Sequence, residues 1–123
     1  ISYTGKMLEK NDDTEEDRLL KAKQYLTENI NKNITRTEVA NYLYLSEEYF
    51  SRWFSKETGD SFKNYVLNQK IEYAKQLLEN TGLTVGIIAS KVGYDNFSYF
   101  SKMFKKKEGM TPQDYRQSHQ EKM

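Results

Sequence analysis

The stretch Tyr49-Phe-Ser-Arg-Trp-Phe-Ser-Lys-Glu-Thr-Gly59 decides the fold, because it returns fifty residues later as Tyr99-Phe-Ser-Lys-Met-Phe-Lys-Lys-Lys-Glu-Gly109. Upstream of each copy the offset falls to forty-nine residues and pairs Val39-Ala40 with Ile88-Ala89. The one-residue difference lies in the turn between the paired segments. Self-similarity at a fixed spacing predicts two copies of one structural unit.

Each copy contains a helix with one apolar face. The first helix covers residues 47–58, with Ser46 as its N-cap and Gly59 as its left-handed stop, and the second covers residues 96–108. The aromatic residues expected to face the core recur at helical spacing. They are Phe50, Trp53 and Phe54 in the first helix and Phe97, Phe100 and Phe104 in the second.

A shorter helix precedes each of these two helices. Thr35-Arg-Thr-Glu38 is a capping box that opens the first short helix, which buries Val39, Ala40 and Leu43. Thr84 caps the second, and Val92-Gly93-Tyr94 makes the turn that follows it. Two short helices joined by a tight turn form the helix-turn-helix pattern.

The flanking segments complete an all-α prediction. Thr14 caps a first helix whose apolar stripe includes Leu19, Leu20, Ala22, Tyr25, Leu26 and Ile30. We predict two helix-turn-helix subdomains, over residues 14–59 and 84–117, joined by a long connector helix over residues 61–80 that Gly82 ends. About seven helices are expected in total. Residues 1–13 are interpreted as a linker from a missing N-terminal region, and residues 118–123 as a tail.

Composition narrows the classes of function. The net charge is +1, but residues 1–17 hold two Lys against six acids, which leaves 17 basic and 12 acidic residues, a balance of +5, in the remainder. The chain has no Cys, and its one His, His119, lies in a polar segment. No Gly-rich phosphate loop, G-x-S-x-G motif or plausible metal cluster is present in the sequence. We therefore expect no enzyme and no cofactor.

The apolar runs are far shorter than the roughly 20 residues that a membrane-spanning helix needs. We expect a soluble, cytoplasmic protein that does not enter a membrane. Because the chain begins with Ile1, it is interpreted as part of a longer parent whose missing portion regulates it.

Several short motifs occur in order at a characteristic spacing in the second copy. They are Ile88-Ala89-Ser-Lys-Val92-Gly93-Tyr94, then Tyr99-Phe100-Ser-Lys102-Met-Phe104-Lys105-Lys106, then Gly109, and finally Thr111-Pro112-Gln-Asp-Tyr115-Arg116. In these motifs the chain resembles the DNA-binding domain of the AraC/XylS family of transcription regulators, over roughly residues 14–117. The first copy is most similar to the branch that often carries a response-regulator receiver domain. The family's connector helix usually has Arg where this chain has Lys70.

The resemblance implies a function and several partners. It implies sequence-specific binding of double-stranded DNA, with the second helix of each unit in the major groove. A contact with RNA polymerase is expected of activators in this family. The isolated domain is expected to be monomeric. The alternative is a helical module whose main partner is a protein, which the near-neutral net charge leaves open.

Residues on the exposed faces of the two helices are the candidates for base contact. Arg52 is the strongest, since a guanidinium can donate two parallel hydrogen bonds to guanine; the alternative is an i, i+4 ion pair with Glu48. Glu48 could accept from cytosine or simply favour the helix N-terminus. The complete set of base candidates is Glu48, Ser51, Arg52, Asn96, Ser98 and Lys102.

Phosphate contacts are expected from helix N-termini and from basic residues on the same surfaces. The candidates are Thr35, Arg36, Ser46, Ser55, Lys56, Thr84, Ser101, Lys105 and Lys106. A structural role remains open for each, as a helix cap, a dipole partner or a solvated charge. Most of the Tyr and Phe residues fall on apolar stripes, and they lie on helices rather than on an open sheet, so core packing is a better account than base stacking.

Overall fold

The computed structural model describes residues 14–120, and those residues form seven helices. In chain order they are α1 (Glu15–Glu28), α2 (Arg36–Tyr42), α3 (Glu47–Thr58), α4 (Phe62–Asn80), α5 (Val85–Lys91), α6 (Phe97–Glu108) and α7 (Pro112–Gln120). The described part of the chain contains no strand, so the all-α prediction is confirmed. The segment interpreted as a linker, residues 1–13, lies outside the described residues.

Polar side chains start the helices, and Thr14, Thr35, Ser46 and Thr84 do so as the sequence predicts. In each case a side-chain oxygen accepts a hydrogen bond from the backbone N–H three residues ahead, which satisfies one of the helix's free donors. Thr14 and Thr35 form complete capping boxes, with Asp17 and Glu38 respectively. The other caps of this kind are Ser46, Ser61, Thr84, Asn96 and Thr111.

Two predicted helix ends differ from the structure. Helix α4 ends at Asn80 with an extended Thr81 as its C-cap, so Gly82 does not supply a left-handed stop. Helix α7 continues to Gln120, so the segment interpreted as a tail begins as helix. His119, on this last turn, stacks on the ring of Tyr115 at 3.9 Å between centroids. It is therefore packed rather than free in a polar tail.

Two hydrophobic cores are arranged along α4, one for each helix-turn-helix unit. The first core contains Phe50, Trp53 and Phe54 from α3, and the second contains Phe100 and Phe104 from α6. Helix α4 contributes to both, because its N-terminal half belongs to the first core and its C-terminal half to the second. The predicted connector helix therefore forms part of each unit.

The predicted apolar stripes are wrong at two residues. Phe97 is 51% exposed, because it is the first residue of α6 and borders an open groove beside the start of α7 instead of entering the core. Leu20 is 56% exposed. It precedes the buried Ala22 by two residues, and this spacing places it about 200° around the helix, on the opposite face.

The two turns repeat each other in backbone geometry. Leu45 N–H donates to the carbonyl of Ala40, and Tyr94 N–H donates to the carbonyl of Ala89, both at 2.9 Å. The residue before each donor is left-handed, and it is Tyr44 (φ 60°) in the first unit and Gly93 (φ 88°) in the second. The extra residue of the second turn is thus Asp95, which lies between Tyr94 and the cap of α6.

Replacing Gly93 by Ala is expected to lower the free energy of unfolding by about 1–3 kcal/mol. The new Cβ would lie 2.5 Å from Lys70 Nζ and 2.9 Å from the carbonyl oxygen of Lys32, on a backbone with positive φ. Urea denaturation measures the change. Tyr44→Gly is the matched control at the same turn position, and we expect it to leave stability unchanged or slightly raised, since glycine relieves left-handed strain. A Gly93→Ala protein as stable as wild type would contradict this account.

Candidate nucleic-acid interface

The exposed faces of α3 and α6 present cations at equivalent positions of the repeat. Arg52 on α3 and Lys102 on α6 are both exposed, and neither has an ion pair or hydrogen bond within residues 14–120. The alternative in which Arg52 pairs with Glu48 is therefore not found in the structure. An exposed cation without a protein partner is available to an external acceptor.

Ser51 does not lie on the outer face, and its predicted orientation is wrong. Its hydroxyl oxygen is buried and has no hydrogen-bond partner. Ser51 follows Phe50 directly, so it lies at the edge of the buried stripe, about 60° from Phe54 around the helix axis. Its small side chain lines the cleft between the two units. Ser101, its equivalent on α6, is half-buried.

Four other candidates lie at the starts of α3 and α6, two as helix caps and two as exposed residues. The Asn96 Oδ1 atom accepts from the backbone N–H of Tyr99, and the Ser46 hydroxyl accepts from that of Tyr49, so both side chains cap helices. Ser98 and Glu48 are exposed. Because the Asn96 carbonyl oxygen is occupied, its amide N–H groups are the part left to act as donors toward a ligand.

Glu47 connects the starts of α2 and α3, which the sequence did not indicate. The Thr37 hydroxyl donates to Glu47 Oε2 at 2.6 Å, and Arg36 Nη2 lies 3.5 Å from Glu47 Oε1. These contacts join the first turn of α2 to the first turn of α3. Arg36, one of the phosphate candidates, thus takes part in an exposed ion pair.

The two faces differ in charge. Helix α3 contains three Glu against Arg52 and Lys56, whereas α6 contains four Lys against Glu108. Lys105 and Lys106 are exposed, but Lys107 donates to Asn64 Oδ1 on α4 at 2.8 Å. Glu108 pairs with Lys75 at 3.2 Å. The positive surface of the second unit is therefore centred on Lys102, Lys105 and Lys106.

The remaining phosphate candidates lie near the same surfaces. Ser55 and Lys56 are exposed on α3, and Ser55 borders the cleft between the units. Thr35 and Thr84 are exposed N-caps of the short helices α2 and α5. Each of these two hydroxyls already accepts a backbone N–H of its own helix, so its structural role is established and any phosphate contact would be additional.

The aromatic residues divide between core and surface. Most of the Phe residues are buried, Phe97 excepted, and so is Trp53, whose Nε1 donates to Glu15. Several tyrosines are exposed to a substantial degree, and Tyr44 is 95% exposed. Core packing therefore does not account for Tyr42, Tyr44, Tyr49 and Tyr99, which are exposed.

The described residues were also examined for a metal site and for a membrane-spanning helix. Within residues 14–120, no cluster of three or more His, Asp or Glu side chains could hold a metal ion. None of the helices over that range is long and apolar enough to cross a membrane.

Comparison with known proteins places this architecture in a family. A family model described as a helix-turn-helix domain matches residues 39–118. The regulatory protein PocR of Salmonella typhimurium is 34% identical over 100 residues, which cover 81% of this chain and 33% of PocR. The arabinose operon regulatory protein of Escherichia coli is 31% identical over 109 residues, which cover 88% of this chain and 37% of that protein. The chain belongs to the AraC family of transcription regulators.

A solved structure of a response-regulator domain shares the fold. The C-terminal domain of AraT, a response regulator from Geobacillus stearothermophilus, superposes with a TM-score of 0.79 at 36% identity, and the match covers 82% of this chain and 84% of that one. The present chain spans about a third of the length of the curated relatives it matches.

Lys70 lies on α4 at the position where the resemblance described above implies an arginine. Its side chain is buried at 5% exposure, and its Nζ donates to the carbonyls of Ile30, Lys32 and Val92 at 2.6, 2.6 and 2.9 Å. The sequence showed only the substitution, because a buried lysine on a long helix has the same local pattern as an exposed one. Burial lowers the pKa of Lys70 to about 8.

This pKa predicts a pH dependence of stability. In the unfolded chain a lysine side chain has a pKa of about 10.4. Between about pH 8 and 10 the unfolded chain therefore holds a proton that folded Lys70 has released, so stability rises with pH. From pH 7.5 to 9.5, wild type is expected to gain about 1–2 kcal/mol of unfolding free energy relative to Lys70→Met. The nearby Tyr94, whose pKa burial raises to about 12, stays neutral in the folded protein.

Urea denaturation of the two proteins in parallel at each pH measures this difference, and it cancels the titration of groups that they share. The unfolding free energy of wild type minus that of Lys70→Met should increase with pH, and a difference that stays constant or decreases would contradict the prediction.

Proposed function

We propose that this AraC-family domain binds one asymmetric duplex site, with α3 and α6 in successive major-groove segments about one helical turn apart. The observation that carries the proposal is the pair of exposed cations, Arg52 and Lys102, which have no ion pair or hydrogen bond within residues 14–120 and lie at equivalent positions of two helices packed on the shared α4. A repeat within one chain is suited to an asymmetric site, because the two reading helices are not identical.

Base contacts are proposed for residues exposed at the starts and outer faces of the two helices. Arg52 donates both arms of its guanidinium to a guanine, and Lys102 donates to a purine in the second half-site. Asn96 contributes its amide donors and Ser98 its hydroxyl. Glu48 accepts from a cytosine amino group or supports the helix N-terminus. Ser51 is not proposed, because its hydroxyl is buried.

Phosphate contacts are proposed for the polar residues that surround these helices. They position the protein on the duplex without reading sequence. Arg36 can take part only by sharing its guanidinium with Glu47. The residues proposed are Thr35, Arg36, Ser46, Ser55, Lys56, Thr84, Ser101, Lys105 and Lys106.

The cellular location of the domain, its parent protein and its protein partner are also proposed. The domain acts without catalysis, in the cytoplasm, as the DNA-reading part of a longer regulator. The likeness to the C-terminal domain of a response regulator supports an N-terminal regulatory domain in the parent. RNA polymerase is proposed as a protein partner when the parent acts as an activator.

The salt dependence of binding tests DNA recognition against the alternative of a purely protein-binding module. Affinity for a fluorescent duplex pool is measured by anisotropy over a range of salt concentrations. A DNA-binding domain releases counterions, so the logarithm of the affinity is expected to fall linearly with the logarithm of salt, by about 0.9 per neutralised phosphate. The absence of binding at every salt concentration would favour the protein-interaction module.

The lysines of α6 are expected to dominate this dependence. Lys105→Gln and Lys106→Gln should each reduce the magnitude of the salt slope by about 1 and weaken binding to all sequences similarly. Lys23→Gln is the matched control, since Lys23 is an exposed lysine on α1. If both α6 variants keep the wild-type slope, these two lysines do not contact phosphates.

A further inference from the structure

The Lys70 ammonium group joins the two helix-turn-helix units. Ile30 and Lys32 belong to the segment between α1 and α2 in the first unit, whereas Val92 lies at the turn between α5 and α6 in the second. Lys70 thus bonds both units from the helix that they share. An ammonium group has three N–H donors, and here each of them has a carbonyl acceptor.

Lys70 lies at the point along α4 where the two hydrophobic cores meet. The last α4 residue of the first core is Val66, and the first α4 residue wholly buried in the second core is Ile71. Lys70 therefore lies at the junction of the two cores. Its hydrogen bonds are directional, so they resist rotation of one unit relative to the other.

The second unit is shaped to admit the ammonium group. A Cβ at Gly93 would lie 2.5 Å from Lys70 Nζ, so the close approach requires glycine at this position. At the matching position of the first turn, Tyr44 carries a full side chain. The two turns share one backbone geometry, yet only the second one faces the lysine.

We propose that Lys70 is a positioning residue that sets the relative orientation of the two units, and through it the half-site spacing that the domain accepts. The role in half-site spacing rests on the proposed DNA-binding function, whereas the role in orienting the two units does not. A buried polar group of this kind fixes one geometry among several of similar packing energy.

The orientation is measured without DNA by the distance between two spin labels. Because the chain has no cysteine, Gln24→Cys on α1 and Gln117→Cys on α7, both at exposed positions, label one site in each unit. We expect a narrow distance distribution in wild type, a distribution at least twice as broad in Lys70→Met, and a narrow one in Lys70→Arg, which keeps the charge and the donors. An unchanged width in Lys70→Met would overturn the proposal.

Two further variants keep the result interpretable. Lys75→Met removes a lysine from the same helix whose partners, Glu72, Glu108 and Tyr115, lie on α4 or in the second unit, and it should leave the distribution narrow. If circular dichroism shows that Lys70→Met is unfolded, Lys70→Gln replaces it, since its shorter amide cannot reach all three carbonyls. A narrow distribution in folded Lys70→Gln would also overturn the proposal.

The spacing readout uses a duplex selected by the wild-type protein and its versions with one base pair inserted or removed between the half-sites. Wild type and Lys70→Arg should lose at least tenfold in affinity on the altered duplexes, whereas Lys70→Met should lose less than threefold. Equal losses for wild type and Lys70→Met would overturn the role in spacing. If wild type selects no duplex, the proposed function fails, and the spin-label result still decides the orientation.

Discussion

The Arg52→Ala, Lys102→Ala double variant is expected to lose about 2–6 kcal/mol of specific DNA-binding free energy, the sum of about 1–3 kcal/mol for each substitution. The two side chains lie on different helices and share no partner in the described chain, so their losses should add. Each substitution leaves a base edge without its donor. Both residues are exposed, so the fold should be retained.

Anisotropy titration of a selected duplex measures this loss, with thermal unfolding as the check on folding. Lys23→Ala is the matched control, because it removes one exposed cation from α1, which is not a proposed reading helix. A double variant that binds within twofold of wild type would show that the groove-facing surfaces are assigned to the wrong faces of α3 and α6.

The Phe104→Ala variant is expected to lose about 3–5 kcal/mol of unfolding free energy, as is typical of a large aromatic residue removed from a core. Phe104 is fully buried and packs against Phe100 and Tyr115, with ring centroids 5.9 and 5.6 Å apart. Its loss opens a cavity where α6 meets α7, because rings that interdigitate cannot collapse into the space.

Urea denaturation again provides the measurement, and Phe97→Ala is the comparison on the same helix. Because Phe97 is half exposed, its removal should cost less than about 1 kcal/mol. Equal losses for the two variants would contradict the assignment of Phe104 to the core and Phe97 to the surface.

Local signals in the sequence predicted most of the helix boundaries. The capping threonines and serines act within one turn of the helix they start, so Thr35 and Ser46 could be recognised without tertiary information. The repeat predicted the second unit from the first. Gly82 shows the limit of this reasoning, because whether a glycine ends a helix in the left-handed conformation depends on the path of the following chain.

The candidate site was predicted less completely, for a physical reason. Helical periodicity gives the direction of a side chain to within a face, which sufficed for Arg52 and Lys102. It could not distinguish Ser51, whose hydroxyl is buried at the edge of the stripe, from the exposed Ser55. Lys70 is bonded to carbonyls 38 and 40 residues earlier and 22 residues later, and no local pattern encodes such contacts.

The central claim is that one chain reads two half-sites, and selection from a random pool of double-stranded DNA tests it most directly. The account predicts that the 123-residue chain enriches two short words about one helical turn apart, that Arg52→Ala loses only one word and that Lys102→Ala loses only the other. No enrichment, or one word that both variants lose together, would contradict it.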